Sequence, residues 1–473
     1  MTHNIKHTVL NLPCVLEAII EYLSCPSTPP LQSPSSLPLI LSFRHLFASF
    51  KQQIDSCGYK PVILIACERR RLIRSLHMVK WAISIGCSFR VNSSDYLCRY
   101  AAEGGHFDII QWARSQSKPY PWSSKTIAAA CSYGDIAILE WLRSRDPPCP
   151  WDPSAYVAAI KANRMDVLKW LRSKDPPCPW DESLCSAAAA AGNTHILSWL
   201  RAQDPPAPWD EWTCAEAAKA GHFEILHWAR TERSPCPWGP WVCAYAALGG
   251  QLDILQWLRS RDPPCPWCDF TNIFAAQAGH LEILEWIQTD ESPCPLTSRV
   301  CACAALKGHL DIIQWARQQT PPCPWYEDTC ANAARGGHLK LIQWIRAQSP
   351  PCPWDESTCA YAAEAGHLHV LQWVRAQTPP CPWNWRASFH AVREGQLHVL
   401  QWMRSTNPPC PWNERNCRQH ALQGCHYDIV NWIDSQRKPS TALSTKLKER
   451  AVLYKPSKKN SSKPTQNRTN RVK

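Results

Sequence analysis

The chain has 473 residues, of which 45% are hydrophobic and 19% charged, and its formal net charge is +12. Its apolar runs fall short of the roughly 18 residues a membrane helix needs, so a membrane-spanning protein is not expected. Residues 437–473 carry twelve Lys and Arg against one acid, Glu449, so eleven of the twelve net charges sit on that tail and the rest is close to neutral. A basic stripe on a folded face, the footprint of a nucleic-acid-binding domain, is therefore not expected either.

Residues 1–55 differ from everything after them. Leu12-Pro13 followed by Leu16, Ile19, Ile20, Tyr22 and Leu23 predicts an amphipathic helix. A Ser/Pro-rich loop runs from Ser24 to Pro38, and a second apolar run from Leu37 to Phe50. Glu17 and Glu21 interrupt the first apolar stretch, so no signal peptide is expected and the compartment expected is cytoplasmic or nuclear. An LP-led helix, a break, and a leucine-rich stretch ending near Arg44 and Phe47 resembles a degenerate F-box, which would imply docking to a ubiquitin-ligase adaptor. The other reading, which we prefer, is a helical cap that seals the first repeat, because terminal repeats need capping.

Residues 56–436 form a repeat array. Trp112, Trp141, Trp170, Trp199, Trp228, Trp257, Trp286, Trp315, Trp344, Trp373 and Trp402 keep one constant spacing, that between Trp112 and Trp141, without a slip. Trp81 and Trp432 extend the series by slightly longer steps. A period in this range marks a solenoid, in which each unit buries its apolar face on its neighbours. One unit reads WDESTCAYAAEAGHLHVLQWVRAQTPPCPW, from Trp354 to Trp383. Asp355 is a suitable N-cap, and in sister units proline (Pro153, Pro240) falls where the first helical residue should be. A first helix is expected to about Ala365, ended by Gly366. A second is expected from about His367 to Gln377, with Leu368, Leu371, Val374 and Trp373 on its apolar face. Arg375 suits the C-terminal dipole of that helix, and PPCPW cannot continue it; the loop should turn the chain and plant Trp383 against the next unit.

Most of the 26 cysteines keep phase with the repeat. Nine lie in PCP loops (Cys149, Cys178, Cys236, Cys265, Cys294, Cys323, Cys352, Cys381, Cys410) and eight in first helices (Cys98, Cys185, Cys214, Cys243, Cys301, Cys330, Cys359, Cys417). Equivalent positions in stacked helices lie roughly 10 Å apart, whereas a disulfide needs Cα atoms within about 7 Å. Both sets read as small buried hydrophobes in a reducing compartment.

The segment AA-x-x-GH-L-x-[IV]-L, here Ala362 to Leu371, resembles the ankyrin repeat and recurs from about residue 98 to 433. Ser357–Ala360 stands where that family has TPLH, and the unit is about four residues shorter than the usual 33. The resemblance implies an all-α, ankyrin-type helix-turn-helix repeat solenoid with shortened hairpin loops, of the short Trp- and Cys-rich variety. It also implies that the first helices line the concave side.

Comparing the units with one another separates constant from variable positions. Counted from the loop tryptophan, positions +5, +8, +9 and +12 stay small, while +3, +7 and +10 vary and share one helix face. They read Trp212, Glu216, Lys219, then Trp241, Tyr245, Leu248, then Phe270, Phe274, Gln277, then Arg299, Cys303, Leu306, then Asp328, Asn332, Arg335, then Ser357, Tyr361, Glu364, then Arg386, His390, Arg393. Clustered aromatics are characteristic of interface cores. Trp212, Glu216, Lys219, Trp241, Tyr245, Phe270, Phe274, Arg299 and Tyr361 are therefore the expected partner-binding residues, the partner being another protein. The competing reading is an ordinary solvated surface.

Other chemistry is not expected. His106, His222, His280, His309, His338 and His367 share one phase after the turn glycine and read as structural, since stacked equivalents cannot converge on a metal at about 2 Å. Cys265-Pro-Trp-Cys268 is a CxxC without a second one nearby. No P-loop, G-x-S-x-G or HExxH occurs, so neither an enzyme nor a cofactor is expected. Residues 437–473 read as a disordered basic tail that could serve nuclear import or bind nucleic acid weakly.

Overall fold

The computed structural model describes residues 72–84, 89–90 and 95–436. The cap or F-box-like segment 1–55, the first residues of the array and the tail 437–473 lie outside the described residues. Among those described, the secondary structure is helical throughout: 25 helices and no strand. They belong to two compact units, the first ending at Pro295 and the second beginning at Leu296. Each unit by itself is a stack of helix–turn–helix repeats, that is, an all-helical repeat solenoid.

In the first unit, first helices such as Glu211–Ala220, Pro240–Leu248 and Asp269–Ala278 alternate with second helices such as Phe223–Thr231, Leu252–Arg259 and Leu281–Ile287. In the second unit, Ser298–Lys307, Glu327–Arg335, Glu356–Glu364, Trp385–Arg393 and Glu414–Gln423 alternate with Leu310–Gln318, Leu339–Arg346, Leu368–Arg375, Leu397–Ser405 and Tyr427–Gln436. Within each unit the first helices pack chiefly on the first helices of adjoining repeats. The small constant positions permit this close approach: Ala217–Ala218, Ala246–Ala247, Ala333–Ala334 and Ala362–Ala363 are all fully buried. Of the predicted apolar face of the helix Leu368–Arg375, Leu371 and Val374 are buried and Leu368 and Trp373 half-buried, while Val370, not assigned to that face from the sequence, is buried with them. Each fully buried side chain of this kind contributes about 1.5–3 kcal/mol relative to exposure.

The helix ends follow the sequence reading to within two residues, the usual margin. Asp355 accepts a hydrogen bond from the Ser357 N–H at 3.0 Å, and Asp210 does the same for Trp212 at 3.1 Å. Pro240 occupies the first helical turn. Pro153 lies one residue outside its helix, Ser154–Lys161, because the Asp152 carboxylate receives the Ser154 N–H at 2.9 Å. Gly366 adopts φ +81° and closes the first helix. At Gly337, with φ +78°, glycine is favoured twice over: a Cβ would also meet the His367 ring at 2.7 Å, though Asn163 holds the same turn at φ +55° in another repeat.

The PPCPW loops take the place of a hairpin. Their central cysteine is fixed on three sides. In one repeat the Cys236 N–H donates to Ala229 O at 2.9 Å, its carbonyl accepts from Arg230 Nη1 at 2.5 Å, and its Sγ lies 3.1 Å from Asp210 O. Most loop tryptophans then meet the second-helix tryptophan of the following repeat edge to face, as in Trp238–Trp257 at 6.1 Å and Trp383–Trp402 at 6.1 Å. The expectation that the loop plants its tryptophan on the next unit is realised in this pair.

Candidate protein-interaction face

The variable positions +3, +7 and +10 are exposed or half-buried on their helices, while the small positions between them are buried. In the first unit this face brings five of the predicted residues into one aromatic cluster. Trp212 and Trp241 stack with centroids 5.8 Å apart and planes 29° apart. Tyr245 meets Trp212 edge to face at 5.5 Å. Phe270 lies 5.0 Å from Trp241, and Phe274 lies 6.4 Å from Trp241, 6.0 Å from Tyr245 and 5.6 Å from Phe270. Trp212, at 40% exposed, is the open edge of the cluster. The order follows from the repeat itself: helices at adjoining positions carry +3 and +7 in register, so rings one period apart stack along the unit.

Glu216 and Lys219 border this cluster and pair with each other at 3.7 Å. The Lys219 ammonium also lies 5.5 Å from the Tyr245 ring centroid, a distance at which a cation is drawn to the ring face. The charged rim is thus balanced.

Arg299 and Tyr361 stand in the second unit, on helices two repeats apart, Ser298–Lys307 and Glu356–Glu364, so this structure does not bring these two together. Tyr361 belongs instead to a charged cluster made of other variable positions of the same face, whose meeting the sequence did not predict. Glu364, with a side chain only 13% exposed, accepts a hydrogen bond from Arg335 Nη2 at 3.1 Å and lies 3.3 Å from both Arg393 Nη2 and His390 Nδ1. The Arg335 guanidinium lies over the Tyr361 ring at 5.5 Å. Burial pushes the His390 pKa down against the pull of Glu364 in the other direction. The signal for this cluster lay in the same +7 and +10 positions, where Glu364, His390 and Arg393 alternate in sign between repeats.

No family model matches this chain, and no curated protein matches it. Two crystal structures of the pentatricopeptide repeat protein PPR10 in complex with an 18-nt psaJ RNA element, one carrying three cysteine-to-serine substitutions, are similar to it at 13% identity. Each match covers 90% of this chain and 68% of the other, with a TM-score of 0.33, too low to carry a functional inference.

The histidines after the turn glycine bridge to the preceding repeat. In the second unit His338 Nε2 lies 3.2 Å from Leu306 O, His367 Nε2 3.1 Å from Arg335 O, and His426 Nε2 2.9 Å from Arg393 O. Burial lowers the His367 pKa. Among the described residues no group of three or more His, Cys, Asp or Glu converges as a metal site would require, and no helix is long and apolar enough to cross a membrane. In the CxxC, Cys265 is buried with its Sγ 3.5 Å from Gly239 O, whereas Cys268 is the half-buried N-cap of the next helix.

The in-phase cysteines are buried free thiols. Burial pushes Cys98, Cys149, Cys178, Cys185 and Cys294 up to about 12, and Cys417 to about 11. These six are therefore protonated near neutral pH and poor nucleophiles, whereas the contact with Cys301 lowers the Cys323 pKa. One relation had not been anticipated. Matching each cysteine with its equivalent one repeat away overlooks its partner inside the same repeat: the Cys301 and Cys323 sulfurs, first helix and loop of a single unit, lie 3.5 Å apart.

Proposed function

We propose that this chain is a non-enzymatic binding scaffold of the short ankyrin type, which holds another protein on the variable face of its first helices. The aromatic cluster of Trp212, Trp241, Tyr245, Phe270 and Phe274 carries this reading. Large half-exposed aromatics set side by side and rimmed by a balanced charge pair have the make-up of an interface core. The near-neutral charge of residues 1–436 favours a protein over a nucleic-acid backbone as the main ligand. The absence of a recognisable catalytic motif favours a binding role over an enzymatic one. The expected compartment remains cytoplasm or nucleus. A ubiquitin-ligase receptor would use the same face for its substrate, with residues 1–55 docking the adaptor.

The test is affinity capture with quantitative mass spectrometry, comparing wild type with the Trp241→Ala/Phe270→Ala double variant and with a chain lacking residues 1–55. A protein partner retained by wild type and by the truncated chain, but lost from the double variant, is the expected result. The thermal transition of the double variant should stay close to that of wild type. Should Trp241→Ala lower Tm as much as Trp257→Ala, the cluster is core and the reading fails. Loss of partners only on truncation would transfer function to the N-terminal segment.

A further inference from the structure

Five repeats carry one cysteine in the first helix, at position +5, and a second in the loop that closes the same repeat. The pairs are Cys214 with Cys236, Cys243 with Cys265, Cys301 with Cys323, Cys330 with Cys352, and Cys359 with Cys381. The loop folds back onto the helix cysteine: the two sulfurs meet in one pair, and in three others the helix thiol lies against the loop carbonyl, as Cys185 also does against Ala207 O at 3.8 Å. Cys301 Sγ lies 3.5 Å from Cys323 Sγ. Cys243, Cys330 and Cys359 place their Sγ 3.8, 3.8 and 3.9 Å from the carbonyl oxygens of Cys265, Cys352 and Cys381. Both members of every pair are buried, at 0–1% exposed. One sulfur is fixed on a helix and the other in a loop pinned at N–H, carbonyl and sulfur. These are therefore preformed two-thiol sites on rigid elements.

From this geometry we propose that each paired-cysteine repeat is a two-coordinate site for a soft monovalent cation, Cu(I), giving the chain five such sites. Thiolates select soft ions of this kind. The donor set excludes the commoner alternatives: zinc takes four ligands and calcium six or more oxygens, and no third His, Cys, Asp or Glu joins a pair among the described residues. Loading replaces two thiol protons, which leave to solvent, by one Cu⁺. The product is a bis-thiolate with one net negative charge, and no electron is transferred. Each site holds an arginine near this charge, although Arg259 is already paired with Asp290 at 3.0 Å. Arg230, Arg259, Arg317, Arg346 and Arg375 donate to the carbonyl of the loop cysteine at 2.5, 3.0, 2.6, 2.5 and 2.5 Å. With metal–sulfur bonds near the zinc value of about 2.3 Å, a linear site needs sulfurs about 4.6 Å apart. The pair at Cys301 must therefore open by about 1 Å, a change within reach of rotation about the Cα–Cβ bonds.

The chain contains its own controls. Other repeats keep the loop cysteine but carry Ile127, Tyr156, Asn272 or Ser388 at the helix position, opposite Cys149, Cys178, Cys294 and Cys410, and one carries Cys185 opposite Ala207. None of these repeats sets a sulfur at the helix +5 position against a sulfur in its own loop, although Cys131 and Cys268 stand elsewhere in two of them. Ser388 also shows that serine is accommodated at position +5, where it is fully buried.

The experiment is an anaerobic titration of the full-length reduced protein with Cu(I) against a chromophoric Cu(I) chelator, with ascorbate present, and copper retained after desalting is counted. Cysteines outside the pairs are controlled by reading differences between variants. Cys301→Ser should retain one copper fewer than wild type. The fivefold variant at Cys214, Cys243, Cys301, Cys330 and Cys359 should retain five fewer, and Cys149→Ser should match wild type. Circular dichroism of each variant confirms that the helices remain. If the fivefold variant does not fold, the single serine variants, each expected to lose one equivalent, decide the matter. X-ray absorption at the copper edge should show two sulfur neighbours. Copper retention that is the same in Cys301→Ser and wild type, or no retention against the chelator, would overturn the proposal.

Discussion

At the scale of residues, the loop is held by an arginine and a tryptophan acting together. The guanidinium that donates to the loop carbonyl also covers the loop indole that follows, at 3.9 Å in Arg143 over Trp151, 4.0 Å in Arg346 over Trp354 and 4.1 Å in Arg375 over Trp383. The sequence alone assigns this arginine to the helix dipole, a weaker interaction screened by salt. The repeat that breaks the pattern is informative: Gln288 replaces the arginine and Leu296 replaces the tryptophan, while Gln288 Nε2 keeps the hydrogen bond to Cys294 O at 3.0 Å. The two residues change together because a guanidinium without a ring to cover loses half of its purpose. Arg346→Ala should therefore lower stability by about 2 kcal/mol, since it removes a charged hydrogen bond and a cation–π interaction at once. Arg346→Lys should restore less than half of this, since lysine lacks the planar fork. Urea unfolding of the three proteins measures both effects, and full rescue by lysine would refute the dual role of the guanidinium.

At the scale of helices, the turn between the two helices of a repeat is closed by glycine within the repeat and by histidine from the next. His367 reaches back to Arg335 O, beside His338 and His369, and burial holds its pKa below the ordinary histidine value. The direction of the pH effect follows. The unfolded chain binds a proton at higher pH than the folded one, so stability is complete above the unfolded pKa of about 6.5. It declines as pH falls from there toward the folded value, and His390 contributes in the same direction. Glutamine occupies the His367 position in two other repeats, at Gln251 and Gln396. His367→Gln should therefore fold and show a shallower loss of Tm between pH 7.5 and 5.5 than wild type. An unchanged slope would show that this histidine does not titrate on unfolding.

At the scale of the molecule, most of the architecture could be read from one chain because the repeat aligns the sequence with itself. Small buried positions, caps and turn glycines recur in phase, and the structure places Asp355, Gly366 and Ala362–Ala363 where that phase requires. The aromatic neighbours were legible for the same reason, as a shared phase on adjoining helices becomes contact. The cysteine pairs and the Glu364 cluster were not. Each depends on how far a loop folds back or on which side chain leans toward which. The repeat period relates equivalent positions and is silent on meetings between positions of different phase, such as Cys301 and Cys323. The modular logic has a direct consequence for construction. Removing residues 326–354 joins Trp325 to the N-cap Asp355 in phase, within the second unit. The shortened protein should keep its helical content per residue and a cooperative thermal transition, both followed by circular dichroism. Collapse to an unfolded chain would mean that repeats are not interchangeable neighbours.

The edge-to-face indoles have an optical consequence. Trp238–Trp257, Trp267–Trp286, Trp354–Trp373 and Trp383–Trp402 lie 6.1–6.3 Å apart. At such separations excitation passes between rings before it is emitted, and the rings are steeply inclined to one another. Polarised ultraviolet light absorbed by one indole should therefore leave from another with its orientation lost. The folded chain should show low fluorescence anisotropy, rising when the pairs part, so that the loops report their own integrity without an added label.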